Sequence, residues 1–164
     1  MRRIAGGDRL AMRVLFGRHH LRVHRFVCGM VRDGGGADDI LDDVFFEVWQ
    51  QAGRFDGRAS VSTWILAMAR HKALAARPGR SDAGPDDAIG APEAGKDAVL
   101  QRCLGALSIE HRGVTDLVYY HEKTIEDVAQ IMGAPANTIK TRMYHARMKL
   151  SELLAAAGID RGGP

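Results

Sequence analysis

The interval Arg77–Asp97, RPGRSDAGPDDAIGAPEAGKD, restricts the fold of this chain more than any other stretch. It holds three prolines, four glycines and little to bury. Such a segment cannot offset the entropy of ordering its backbone, so it reads as a flexible, acidic linker. No single core can run through it. With 164 residues in all, the flanks must form two small domains rather than one large one. The expected division is a domain at 1–76, a linker at 77–97, a second domain at 98–158 and a tail at 159–164.

Both flanks show helical periodicity. From Leu10 to Val31 apolar residues recur at Val14, Leu15, Val23, Phe26, Val27 and Met30, and Asp33-Gly34-Gly35-Gly36 stops the run. A second helix fits Ala37 to Gln51, with Ile40, Leu41, Val44, Phe45, Val48 and Trp49 as its inner stripe. Gly53 and Gly57 bracket a loop, and a third helix fits Ser62 to Ala76 with Trp64, Ile65, Met68, Ala69 and Leu74 inward. Beyond the linker, residues 98–107, 109–120, 124–132 and 136–156 repeat the pattern. There is no strand-like alternation and no internal repeat. An apolar content of 46 % with only 6 % aromatic residues suits aliphatic helical cores. The expected fold class is all-α, two small helical domains on a tether.

Several function classes fall away. No apolar run approaches the roughly 20 residues needed to span a bilayer. The start, MRRIAGGDRLAMRV, has no apolar core long enough for a secretion signal. A soluble, intracellular protein without membrane insertion is expected. Cys28 and Cys103 form no CxxC pair and read as packed thiols, Cys28 within an apolar run. His20, His24 and Cys28 are spaced i, i+4, i+8, which could bring metal ligands together on a helix, but no fourth ligand is evident. No metal or cofactor is therefore expected. There is no nucleophile–base constellation and no phosphate-cradling glycine motif, so the residues point away from catalysis.

The net charge is only +3, so the layout of charge says more than its sum. The segment 37–51 carries Asp38, Asp39, Asp42, Asp43 and Glu47 without one Lys or Arg. Asp39, Asp43 and Glu47 share a helix face, and like charges at that spacing oppose the helix by a few tenths of a kcal/mol per pair. A basic partner would offset that cost. This is the candidate docking surface. The next segment is opposite in sign, with Arg54, Arg58, Arg70 and Lys72 against Asp56.

TIEDVAQIMGAPANTIKTRMYHARMKL, residues 124–150, has the layout of a helix-turn-helix. Thr124 can cap the first helix, with Asp127 in the capping-box position. Ile125, Val128, Ala129 and Met132 face inward. Gly133 suits a sharp turn and Pro135 cannot continue the first helix, so the second starts near Ala136 or Asn137. Turned at about 100° per residue, Ile139, Met143, Ala146 and Leu150 fall in one sector. Asn137, Thr141, Tyr144 and Met148 point the opposite way, with His145 nearby. Lys140 and Arg147 flank them on one side, and Thr138, Arg142 and Lys149 on the other. A helix entering a major groove needs this arrangement: short polar side chains for base edges, cations for the phosphate walls.

In the first block, Phe55-Asp56-Gly57-Arg58 leads into Ser60, Ser62, Thr63 and Trp64, then Arg70, His71 and Lys72. An aromatic among hydroxyls and cations can stack on an unpaired base while its neighbours hold the backbone.

At these residues the chain resembles a known family. ADDILDDVFFEVWQQAGRFDGRASVSTWILAMARHKAL resembles the promoter-melting domain of group IV (extracytoplasmic-function) bacterial sigma factors. LGALSIEHRGVTDLVYYHEKTIEDVAQIMGAPANTIKTRMYHARMKL resembles their C-terminal domain. The two matches come in the family's order with a linker between them. The resemblance implies that Asp38, Asp39, Asp42, Asp43 and Glu47 dock on the clamp helices of the largest polymerase subunit, and that the flap of the second subunit is a further partner. It implies that Arg58, Ser60, Ser62, Thr63, Trp64, Arg70, His71 and Lys72 recognise and open the −10 element. It implies that Asn137, Thr138, Lys140, Thr141, Arg142, Tyr144, His145 and Arg147 read the −35 element as duplex. The linker would thread toward the active-site cleft, and an anti-sigma factor is a further implied partner. A sigma factor is no catalyst; the polymerase does the chemistry. Departures are His71 where many members have Asn, His145 where many have Arg, and Asp42 in place of a common Gln. His145 exchanges a permanent cation for one that titrates near neutrality, which implies a pH-sensitive −35 affinity. No appended signal-sensing domain is expected after the second block. Two rival readings are a sigma-like decoy for an anti-sigma factor and a stand-alone helix-turn-helix regulator.

Overall fold

Asp8 opens the first long helix. Its carboxylate accepts from the Ala11 amide at 3.0 Å and from Arg3 Nε at 2.8 Å. The Ala11 amide bond first, then Arg3, holds its carboxyl below the usual aspartate range. The structure, a computed structural model, describes residues 1–31, 36–76 and 95–159. Most of the interval Arg77–Asp97, the residues 33–35 of the glycine stop and most of the tail lie outside the described residues. The described residues contain helices and no strand.

The elements in chain order are α1 (Arg2–Ala5), α2 (Arg9–Met30), α3 (Ala37–Gln51), a 3₁₀ turn at Ala52–Arg54, α4 (Val61–Ala75), α5 (Lys96–Gly105), α6 (Ile109–Thr115), a π turn at Asp116–Tyr120, α7 (Ile125–Met132) and α8 (Ala136–Ala156). They divide into two compact units, Met1–Pro78 with Gln130–Gly133, and Gly79–Ala129 with Ala134–Pro164.

In the first unit α2, α3 and α4 pack pairwise, and α1 lies against α2, α3 and the 3₁₀ turn. The core takes Val23, Phe26, Val27 and Met30 from α2, and Ile40, Leu41, Val44, Phe45 and Val48 from α3. From α4 it takes Ile65, Leu66, Ala69 and Ala73. The spacing i, i+3/i+4 puts each set on one face. Asp38 and Asp39 sit in the first turn of α3, where the helix dipole favours negative charge.

Several first-unit expectations need correction. Val14 and Leu74 are exposed, and Trp49 and Trp64 are half-buried, because at about 100° per residue each falls beside or opposite the buried stripe of its own helix. Cys28 is exposed rather than packed: it falls between the buried Val27 and Met30 on the outward side of α2. Burial of part of its side chain, then the nearby Asp38 carboxylate, pushes its thiol up, away from thiolate reactivity. Thr63 is fully buried, where an exposed strand-binding hydroxyl was expected. It lies one turn inside α4 on the core side, and Ser60 Oγ donates to its hydroxyl at 2.9 Å.

In the second unit α5 and α6 both pack on α8. Cys103, Leu107, Val114, Leu117, Val128, Ile139, Met143 and Ala146 are buried. Each large aliphatic side chain removed from water in this way contributes about 1.5–3 kcal/mol. Ser108 caps α6 by accepting from the His111 amide at 3.2 Å. The helix expected through Tyr120 instead widens into the π turn after Thr115.

Candidate nucleic-acid and docking interfaces

Three caps set the exposed faces. Ser60 accepts from the Thr63 amide at 3.2 Å and so starts α4. Thr124 accepts from the Asp127 amide at 3.1 Å and starts α7. Gly133 has φ +63, the left-handed conformation that side chains disfavour. The Ala134 amide closes the end of α7 on the Ala129 carbonyl at 3.1 Å. Pro135 is extended, and its carbonyl accepts the Ile139 amide at 3.1 Å to begin α8. The turn therefore has the geometry its residues call for, and it fixes which face of α8 is buried.

That face is Ile139, Met143 and Ala146. Asn137, Lys140, Thr141, Tyr144, His145 and Arg147 are all exposed, and Thr138 is half-buried. Thr141 donates its hydroxyl proton to the Asn137 carbonyl at 3.0 Å, leaving its lone pairs outward as acceptors. Arg147 donates from Nε to Tyr119 Oη at 2.8 Å and lies over the same ring. Tyr119, exposed on the π turn, is a member of this surface that no periodicity in the sequence marks. Arg142 behaves differently. Its Nη1 lies 3.2 Å from Glu110 Oε2 of α6, and both side chains are partly covered, at 28 % and 38 % exposure. His111 stands beside this pair, with the His145 ring 6.3 Å away. Burial first, then His145 and Arg142, pushes the His111 imidazole down from its ordinary value, against the opposing pull of Glu110.

On the first unit, Asp38, Asp39, Asp42 and Asp43 are exposed along α3. Asp38 Oδ1 lies 3.1 Å from His24 Nε2. Phe46 stands among these acids at 61 % exposure. It was missed at the sequence level, although the run Val44-Phe45-Phe46 carries a signal: three consecutive residues span about 200° of a helix and cannot all face the core. Glu47 departs from the acidic face. Its Oε2 is 2.7 Å from Lys72 Nζ, its Oε1 accepts from Gln51 Nε2 at 2.7 Å, and its side chain is only 26 % exposed.

Along α4, Trp64 and His71 fall on the outward side, Trp64 half-buried against Phe55 with ring centroids 5.3 Å apart. Ser60 and Ser62 bring their hydroxyls to 3.3 Å at the helix start. Arg58 is exposed beside Asp56, Nε to Oδ2 3.5 Å. Arg70 is half-buried toward the core side, and Lys72 is the cation held by Glu47.

The histidines of α2 do not converge with Cys28 on a site. His20 Nδ1 is 2.9 Å from the Phe16 carbonyl and stacks on that ring, while His24 lies beside both Asp38 and Cys28. Among the described residues no three His, Cys, Asp or Glu side chains come together as metal ligands, and no helix is long and apolar enough to cross a membrane.

Family models match both blocks: Sigma-70 region 2 over residues 15–80 and Sigma-70, region 4 over residues 97–150. The chain is 29 % identical to the ECF RNA polymerase sigma factor SigK of Mycobacterium tuberculosis, covering 94 % of this chain and 91 % of that protein. It is 33 % identical to SigM of the same organism, covering 90 % and 79 %. In fold it is similar to the sigma factor RpoE in complex with the anti-sigma factor NepR from Bartonella quintana, with TM-score 0.71, 21 % identity and 91 % and 98 % of the chains covered. It is likewise similar to CnrH in complex with the cytosolic domain of CnrY, with TM-score 0.69, 21 % identity and 94 % of each chain covered.

Proposed function

The chain belongs to the sigma-70 family, in its extracytoplasmic-function branch, and from that premise we propose a division of labour between its two charged faces. As a sigma factor it is a transcription initiation protein that works with core RNA polymerase and promoter DNA. The acidic face of α3, Asp38, Asp39, Asp42 and Asp43 around Phe46, docks on a basic surface of the polymerase, the clamp helices of the largest subunit. Arg58, Ser60, Ser62, Trp64, Arg70, His71 and Lys72 meet the −10 element as it opens. Asn137, Thr138, Lys140, Thr141, Arg142, Tyr144, His145 and Arg147 read the −35 element in the major groove. Glu47 and Thr63 are left out of these sets, the first because it turns to Lys72, the second because it is buried.

The observation that carries this reading is the sorting of charge onto separate exposed faces. Four acids without a cation line α3, while α8 offers cations around a polar centre and no acid before Glu152. Opening of the −10 element needs no catalysis by this chain. Duplex opens when the protein binds the separated strand better than the closed one, a population shift that a flipped, stacked base can supply. Two similar solved structures are complexes, the sigma factor RpoE with the anti-sigma factor NepR and CnrH with the cytosolic domain of CnrY. An anti-sigma factor is the regulatory partner proposed here.

The test is transcription with purified, sigma-free core polymerase and genomic DNA of the host. Addition of the chain should produce transcripts from discrete start sites. A decoy or a stand-alone regulator would produce none, and that result overturns the reading.

A further inference from the structure

Each DNA-facing helix keeps one cation in the grip of a carboxylate from a neighbouring helix. In the first unit Lys72 of α4 lies 2.7 Å from Glu47 of α3, and the second carboxylate oxygen of Glu47 is occupied by Gln51. In the second unit Arg142 of α8 lies 3.2 Å from Glu110 of α6. All four side chains are partly covered, so these pairs are screened less than fully exposed ones. Lys140 and Arg147 contrast with them. Lys140 is exposed, and the partner of Arg147 is the neutral hydroxyl of Tyr119.

We propose that Glu47 and Glu110 are specificity-determining residues, which neutralise one cation on each DNA-facing helix and so suppress sequence-independent binding to phosphate. The inference rests on the DNA-reading function proposed above. Sequence-independent affinity scales with the number of unmatched cations that can displace counterions. A carboxylate in contact removes one such charge. It does not remove the remaining N–H donors: guanidinium has five and ammonium three, and the pair uses only some. Arg142 therefore keeps its capacity to donate to a base edge, in a position already chosen by Glu110, while adding little to attraction for any duplex. Lys72 stands in the same relation to an opened strand. The two glutamates raise the ratio of correct to incorrect binding by lowering the second term.

Full-length Glu110→Gln and Glu47→Gln variants test this, with random-sequence duplex and random-sequence single-stranded oligonucleotides as probes over a range of salt. Glu110→Gln should steepen the duplex slope of log affinity against log salt by about 0.9, the value for one added phosphate contact. Glu47→Gln should steepen the single-strand slope by about 0.7. Adding Arg142→Ala to Glu110→Gln should return the duplex slope to that of the parent, which a merely structural role of the carboxylate would not do. If Glu110→Gln does not fold, Arg142→Ala alone decides: a slope near the parent's supports the inference, and a fall of about 0.9 overturns it. Unchanged slopes in both Gln variants overturn it while leaving the DNA-reading function intact. Failure of parent and variants alike to bind any DNA overturns both.

Discussion

Arg147 Nε donates to the hydroxyl of Tyr119 at 2.8 Å, bringing the π turn to the exposed side of α8. The bond orients the guanidinium without neutralising it. Arg147 and the exposed Lys140 are thus full cations on the surface proposed to face duplex. Arg147→Ala and Lys140→Ala should each flatten the salt slope for duplex binding by about 0.9. Tyr119→Phe should leave the slope alone and weaken binding by about 0.5–1.5 kcal/mol, the worth of one hydrogen bond. Slopes unchanged in both cation variants would mean that another face of α8 meets DNA.

Polymerase docking should depend on apolar contact as well as charge. Asp39→Lys with Asp43→Lys should abolish binding to core polymerase in a pull-down, while binding of the full-length variant to random duplex persists. Phe46→Ala should cost about 2 kcal/mol of polymerase affinity, as expected for an aromatic anchor inside a polar rim. Because Phe46 is 61 % exposed in the chain itself, this substitution should leave the melting temperature nearly unchanged. A large loss of stability instead would show that Phe46 serves the fold.

Stability of the second unit should fall in mild acid. The His111 imidazole is held below its ordinary 6.5 by burial and by the nearby His145 and Arg142. The unfolded chain therefore takes up the proton at a higher pH than the folded one does. Stability from this group is fully present above about pH 6.5 and is lost as pH falls from there through the folded-state value. Denaturant titrations at a series of pH values should show this decline in the parent and a shallower one in His111→Gln. Equal profiles would remove His111 as its source.

The helix starts are ordinary capping sites with measurable cost. Ser60→Ala and Thr124→Ala should each destabilise by about 1 kcal/mol. Ile139→Ala, at the fully buried centre of the α8 face, should cost about 2–5 kcal/mol. Denaturant midpoints in the full-length chain provide the comparison, and a cap variant as damaging as Ile139→Ala would point to a role for the hydroxyl beyond the cap.

Much of this architecture was legible because helices are local. The run Ile40, Leu41, Val44, Phe45, Val48 marks one face of α3 by spacing alone, and the structure buries those five residues. Gly133 and Pro135 announce a turn through their own backbone restrictions, and φ +63 at Gly133 is that turn. The acid-only exposed stretch of α3 and the polar, cation-flanked stretch of α8 can be read from composition and a 3.6-residue period.

The pairing of charges could not be read in that way. Whether Arg142 is unmatched or neutralised depends on Glu110, 32 residues away on another helix, and no periodicity connects them. Nor does α3 alone reveal that Glu47 turns from its fellow acids toward Lys72 of α4. The burial of Thr63, the exposure of Cys28 and the π turn that presents Tyr119 are of the same kind. Sequence determined where the helices lie and which sign of charge each carries, because both follow from neighbours along the chain. Tertiary structure decided which of those charges remain available to a partner, because that depends on the side chain packed across from each one.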